Sequence, residues 1–272
     1  MVLFSLLFIY LHKLISSPPN ASHTTFIGFT YLTSLIIYGW IFGLIAFLLA
    51  KKEHVKLPIL NKPNRYLLFS TLFPLALVLI SITISFIIKD HQIDTLMNTY
   101  LSKLLFFQSM LINKIVILSI AILLNIVNSL ITAFCIILGT ELMWHGYMLN
   151  KLKEQGFWPA SFIVGILFGL WNIAHTFFGD TSHLYSKIIG IFIICMLISP
   201  LLTYIRIKSK SILVPAILYS LFSSFSSICE MIFSPYHLSL FSITGLFGII
   251  ILIFVNLYLY KKKLNNFLQE NI

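Results

Sequence analysis

Residues 126–150 read IVNSLITAFCIILGTELMWHGYMLN, an apolar run with a single acid, Glu141, embedded in it and no basic residue except His145. A helix needs about 20 predominantly apolar residues to cross the roughly 30 Å hydrocarbon layer, because lipid cannot satisfy free backbone groups and a helix satisfies its own. This stretch meets that demand. Working outward, similar runs lie at 24–50, 66–88, 104–125, 157–178, 188–205, 212–234 and 238–260, with a shorter one at 2–16. The composition agrees: of 272 residues, 59% are apolar and 10% charged, far from the soluble balance of about 45–50% and about 25%. A water-soluble domain is excluded. The expectation is an all-α, polytopic integral membrane protein with about eight transmembrane helices, forming a single membrane domain over 1–272.

One continuous helix over 104–150 would reach about 70 Å, so it has to bend, tilt or split. Lys114, Asn125 and Asn128 are the polar positions where the departure is expected. The net charge is +10, from eighteen basic and eight acidic residues. The basic residues fall in short clusters between apolar runs, the pattern of membrane topology and not of nucleic-acid binding. Lys51, Lys52, Lys56, Lys62, Arg65, Lys151, Lys153, Arg206, Lys208, Lys210 and Lys261 to Lys263 assign to one side, and Lys89, Lys103 and Lys187 to the other. The rich side is expected in the cytoplasm, with both termini there, in the cell membrane. The run 2–16 has the length of a signal-peptide core but no basic start and no A-x-A site, and reads as an uncleaved helix. Cys135, Cys195 and Cys229 lie in apolar runs without metal or disulfide spacing and read as small buried hydrophobes.

Ionisable groups inside a membrane are costly and mark function by default. Glu141 and Glu230 are two acids within apolar runs. Glu141 opens the stretch Gly139-Thr140-Glu141-Leu142-Met143-Trp144-His145-Gly146-Tyr147, where Glu141 and His145 share a helix face at a spacing of four. Counting inward from Lys151 puts His145 about 9 Å and Glu141 about 15 Å deep. A second polar insertion is Phe168-Gly169-Leu170-Trp171-Asn172-Ile173-Ala174-His175, with Phe168 about 15 Å, Asn172 about 21 Å and His175 about 25 Å from the entry near Trp158. The third follows the basic loop at 206–210: after Val214-Pro215-Ala216-Ile217-Leu218, Tyr219 lies about 12 Å and Ser223 about 18 Å deep on one face. Trp144 and Trp171 adjoin these insertions and would wall or fill a cavity between them.

In order and spacing the three insertions resemble the CPBP family, the CAAX protease and bacteriocin-processing intramembrane endopeptidases, which include the type II CAAX prenyl endopeptidases. That family carries E-E-x-x-x-R, F-x-x-x-H and H-x-x-x-N on separate helices. The corresponding stretches here run from Thr140 to His145, from Phe168 to Asn172 and from Tyr219 to Ser223, and Gly146-Tyr147, Gly169-Leu170-Trp171 and Val214 to Leu218 are similar to family flanking sequence. The resemblance spans about 120–235. It implies an eight-helix membrane fold and cleavage of a prenylated or otherwise membrane-associated peptide. It also implies that the first Glu and first His activate water while the second His and the Asn stabilise the oxyanion. Of the motif residues Glu141 and Phe168 are kept; Thr140 stands for the first Glu, His145 for the Arg, Asn172 and Tyr219 for the two His, and Ser223 for the Asn.

The candidate site residues are therefore Glu141, Asn172, Tyr219, His145, Ser223 and Thr140, with no cofactor and no metal. Thr140 cannot serve as a general base near neutral pH, and Asn172 orients a water without shuttling its proton. Three functions stay open: hydrolysis with Glu141 as base and Asn172 and Tyr219 as oxyanion donors; a non-catalytic descendant binding a lipid, peptide or membrane partner in an immunity or regulatory role; and an ion-coupled carrier titrating Glu141, His145 and Glu230. The last lacks the internal duplication such carriers show. The partners expected are the lipid bilayer and a lipidated or membrane-embedded peptide, and no nucleic acid.

Overall fold

The computed structural model describes residues 24–61, 64–88, 114–176, 184–233 and 235–262, with Leu264 and Leu268. Every regular element among them is helical: α1 Thr24–Lys52, α2 Arg65–Ile87, a long α3 over 114–151, α4 Phe157–Thr176, α5 Leu184–Ser209, α6 Leu213–Ile232, α7 Pro235–Phe241 and α8 Leu246–Lys261. Five segments among the described residues are long and apolar enough to cross a membrane: Arg65–Ile87, Ile122–Lys151, Ile188–Ser209, Leu213–Glu230 and Leu238–Lys261, with Phe157–Ile173 a shorter apolar helix. The chain is an all-α integral membrane protein. The expected count of eight is not reached by these residues; the run 2–16 and residues 104–113 lie outside them. Side chains such as Leu44, Leu48, Leu72, Leu123, Phe134 and Phe254 point outward, into the bilayer.

Of the three courses expected for 104–150, bend, tilt or split, the described part does not split at 125/126. Residues 114–151 form one unbroken helix that changes gauge instead of breaking: Lys114–Thr132 is α-helical, Ala133–Ile137 π-helical, Leu138–Glu141 α-helical, Leu142–Met148 π-helical and Leu149–Lys151 α-helical again. The asparagines do not interrupt it, because their carbonyls stay in the helix and also accept side-chain bonds, Asn125 O from Ser129 and Asn128 O from Thr132. Its apolar part, Ile122–Lys151, has 30 residues, about 45 Å at α-helical rise, and so must tilt in a layer of about 30 Å. The region 238–260 is, conversely, divided: α7 ends at Phe241 and α8 starts at Leu246, around a turn whose Ser242 and Thr244 hydroxyls bond each other.

Small residues set the closest helix contacts, as they do where lipid supplies no driving force for association. On α1, Gly39 and Gly43 lie against the first π segment and Gly139 of α3; a Cβ on Gly139 would sit 2.5 Å from the Gly39 carbonyl oxygen. Trp40 between them donates its indole N–H to the Cys135 carbonyl at 2.8 Å. On α4, Gly165 and Gly169 repeat the spacing against α5, where a Cβ on Gly165 would meet Ser199 at 2.9 Å. Among the described helices α6 is the most enclosed, packed against α2, α3 and α5, and Ser220 donates to the Ser129 carbonyl of α3 at 2.8 Å.

The basic ends gather on one face. The loop after α1 supplies the Pro58 and Ile59 carbonyls to the first amides of α6, Ile212 N–H at 3.0 Å and Leu213 N–H at 3.1 Å, groups a helix start leaves unpaired. Asn64 caps α2 by accepting from the Tyr66 N–H and donates its own amide to the Ser209 carbonyl at the end of α5. Glu53, just past α1, accepts from Tyr147 and pairs with Lys151 at the end of α3, both at 2.9 Å. The described members of the clusters counted from sequence thus share one end of the bundle; Arg206 and Lys208 lie within the last turns of α5 and not in a loop, and Arg206 is only 5% exposed. The helical run simply continues through it, flanked by Ile205 and Ile207.

Candidate functional site

The second π segment of α3 begins directly after Glu141, and such wide turns recur at functional sites. Thr140, Glu141, Trp144 and His145 are all buried there. Glu141 and His145 meet across one turn, Oε2 to Nδ1 at 2.7 Å, and both are fully enclosed. The other ring nitrogen, Nε2, faces Ser199 Oγ on α5 at 3.3 Å, and Ser199 donates its hydroxyl proton to the Ser161 carbonyl of α4 at 2.8 Å. Because a hydroxyl carries one proton, Ser199 can only accept from His145, so Nε2 is the donor. One proton is then left to lie between Nδ1 and Oε2. The pair has no net charge whichever atom holds it, which is how it tolerates its burial.

Asn172 and Tyr219 form a second centre on α4 and α6. Tyr219 donates its phenol proton to Asn172 Oδ1 at 3.0 Å, and Asn172 Nδ2 donates to the Phe168 carbonyl at 2.9 Å. Cys195 of α5 lies within hydrogen-bonding reach of the same phenol. Depth counted from sequence put these two side chains about 9 Å apart along the membrane normal, yet they touch, so α4 and α6 do not enter the bilayer at one level. The ring of Phe168 separates the two centres, 6.2 Å from the His145 ring and 4.8 Å from that of Tyr219.

The remaining candidates sit apart. Thr140 donates its hydroxyl to the Ile137 carbonyl at 2.8 Å, back along its own helix. Ser223, one turn beyond Tyr219, is exposed, and so is Glu230 at the far end of α6; neither joins the two centres. The side chain of His175 lies outside the described residues. Trp144 and Trp171 are packed, not open: Trp171 meets Phe42 of α1 at 4.0 Å, and Trp144 lies 6.3 Å from Trp171. Of the cysteines, Cys195 and Cys229 are buried as expected, but Cys135 is exposed, since it lies on the side of the first π segment turned away from the bundle.

Sequence reasoning missed Ser199, Ser161 and Arg206. The helical run could have given two of them, since Ser199 and Arg206 are seven apart and share one face of α5, and Arg206 interacts electrostatically with Glu141; Ser161, on α4, joins only through the packing of the two helices. Four buried polar atoms here have no hydrogen-bond partner among the described residues, Glu141 Oε1, Trp144 Nε1, Ser161 Oγ and Arg206 Nε. Among the described residues no three His, Cys, Asp or Glu side chains gather as a metal site would need.

The arrangement pairs an acid with an imidazole in a dry interior and, beside it, an amide with a phenol. It keeps Glu141 in place, and a proton can pass between Glu141 and His145. Thr140 and Tyr219 each give their single hydroxyl proton to a partner within the protein, the Ile137 carbonyl and Asn172 Oδ1, and Asn172 gives one of its two amide protons to the Phe168 carbonyl. No curated protein matches the chain. Residues 121–225, which hold α3 from Ala121 through both π segments, α4, α5 and the first part of α6, match the family model described as type II CAAX prenyl endopeptidase Rce1-like. That match covers both centres and supports kinship with the CAAX protease family of membrane-embedded endopeptidases.

Proposed function

We propose that this chain is a non-hydrolytic member of the family, a single membrane domain that holds a membrane-associated, lipidated peptide between its helices without cutting it. The family match supports the fold and the class of ligand. The absence of turnover rests on one observation above the rest: Tyr219 and Asn172 satisfy each other at 3.0 Å. Two histidines at these positions would each carry a titratable nitrogen toward a water; a phenol and an amide that bond one another offer neither a base nor a free oxyanion donor from the phenol. Thr140, turned back onto Ile137, supplies no base either. The gathered lysines support a cytoplasmic position for the basic end of the bundle.

A specific observation favours a second reading. Glu141 Oε1 is buried without a partner among the described residues, and this free carboxylate oxygen is where a single water would meet a base. Incubation of the purified chain in proteoliposomes with a farnesylated peptide carrying a photoreactive group separates the readings. The proposal expects the peptide to be captured intact on illumination, and the combined variant Thr140→Glu, Asn172→His and Tyr219→His to cut it. Cleavage by the unaltered chain overturns the non-hydrolytic reading, and failure to capture overturns the binding role.

A further inference from the structure

At the basic end, two cations are held by aromatic side chains in place of acids. Arg65, the first residue of α2, lies 5.2 Å from the ring centroid of Tyr66 and donates Nη2 to its hydroxyl at 3.2 Å. Lys262, the residue after α8, lies 4.6 Å from the ring centroid of Tyr258 and 5.0 Å from that of Tyr204, and donates Nζ to the Tyr204 hydroxyl at 3.1 Å. The two halves join edge to face through Tyr66 and Tyr204, centroids 6.2 Å apart. Helices α2, α5 and α8 therefore present one continuous cluster, Arg65, Tyr66, Tyr204, Lys262 and Tyr258, where these helices meet the basic end. Arg65, Lys262 and Tyr258 are exposed there.

The chemistry of the cluster is one-sided. An ammonium or guanidinium only donates, and the Tyr66 phenol, having accepted from Arg65, keeps its own proton to donate. Lys151, on the same face, contrasts with this: Glu53 holds it at 2.9 Å. No described carboxylate plays that part for Arg65 or Lys262. The hydrogen bonds of Lys262 to Tyr204 and then to Tyr258 raise its pKa, which keeps it charged at all physiological pH. Rings of tyrosine belong at the level of lipid headgroups, and juxtamembrane cations attract acidic lipids.

We infer that Arg65, Tyr66, Tyr204 and Lys262 form a headgroup site for an acidic phospholipid, with the phosphate against the two cations and the acyl chains along the apolar flanks of α2 and α8. Leu68 and Leu72 on α2 and Phe254 and Leu257 on α8 are exposed apolar side chains one or two turns along each helix from the cations. The site is independent of the peptide-holding role proposed above.

Delipidated full-length chain in a neutral detergent tests this when its thermal midpoint is followed during titration with phosphatidylglycerol, phosphatidylcholine or inorganic phosphate. The expected result is a rise with phosphatidylglycerol alone. Arg65→Gln with Lys262→Gln should require about tenfold more phosphatidylglycerol for the same rise, whereas Lys52→Gln with Lys56→Gln, which removes equal charge elsewhere on that face, should not. Arg65→Lys with Lys262→Arg should restore most of the response and guards against a folding defect in the neutral variant. Equal shifts with both lipids, an equal response to free phosphate, or equal losses in the two neutral pairs would overturn the site.

Discussion

The two polar centres of this protein, one fully buried and one half-buried, lie on either side of one phenylalanine ring and have opposite characters. The centre on α3 pairs two titratable side chains, Glu141 and His145, at 2.7 Å and ends in the Ser199 to Ser161 relay. The centre between α4 and α6 pairs two side chains that stay neutral at any ordinary pH, Asn172 and Tyr219, at 3.0 Å. At position 145 the imidazole answers a group on its own helix, Glu141, whereas Asn172 and Tyr219 stand on different helices and answer each other. The first centre ties α3 to α5 and α4 through Ser199 and Ser161, and the second ties α4 to α6.

The scaffold centre should be the costlier one to break. His145→Ala leaves Glu141 buried without its proton partner, and loss of one member of such a pair costs about 3–5 kcal/mol; a thermal midpoint in detergent far below that of the parent would register it, and an unchanged midpoint would mean the pair is not enclosed. The close approach of α1 can be broken next. Gly139→Val drives side-chain atoms into the Gly39 carbonyl, 2.5 Å from where even a Cβ would stand, and overpacking of this kind costs about 1–3 kcal/mol; limited proteolysis between α1 and α2 should accelerate.

Tyr219→Phe removes one hydrogen bond and strands Asn172 Oδ1, a loss of about 1–2 kcal/mol. Combined with His145→Ala it sharpens the comparison. If Phe168 insulates the centres, the two losses add within about 0.5 kcal/mol; a larger discrepancy would make them one network.

The smallest effect concerns the surface tie beside the first centre. Glu53 has its carboxyl held below the usual carboxylate range, first by the hydrogen bond from Lys151 and then by that from Tyr147. A depressed native pKa contributes stability above the ordinary carboxylate value and loses it as pH falls through the native value. The difference between the parent and Glu53→Gln should therefore be small at neutral pH and vanish in acid. A difference that grew on acidification would contradict the pairing.

Much of this was legible in the chain. Apolar run lengths gave the helices at 24–50, 66–88, 157–178, 188–205 and 212–234 to within a few residues, because the bilayer fixes a minimum length and charged residues mark the ends. The i, i+4 spacing gave the Glu141 and His145 contact. Period and length did not give the course of 114–151, since π turns change the number of residues per turn without any polar or proline signal in the sequence. Arg206 was misplaced for a related reason: a charge near the end of an apolar run reads as loop unless the helix is known to continue past it. Ser223 was misplaced because shared helical face says which way a residue points, not whether anything packs over it. The meeting of Asn172 with Tyr219 depends on the relative depth of two helices, which no single-chain count supplies.

The account turns on whether the closed Asn172 and Tyr219 centre prevents hydrolysis, and a direct measurement is release of product from a farnesylated fluorogenic peptide by the purified chain in proteoliposomes, beside Glu141→Gln. The account predicts rates indistinguishable from empty liposomes for both proteins. Product release by the parent that disappears in Glu141→Gln would contradict it and establish Glu141 as the base.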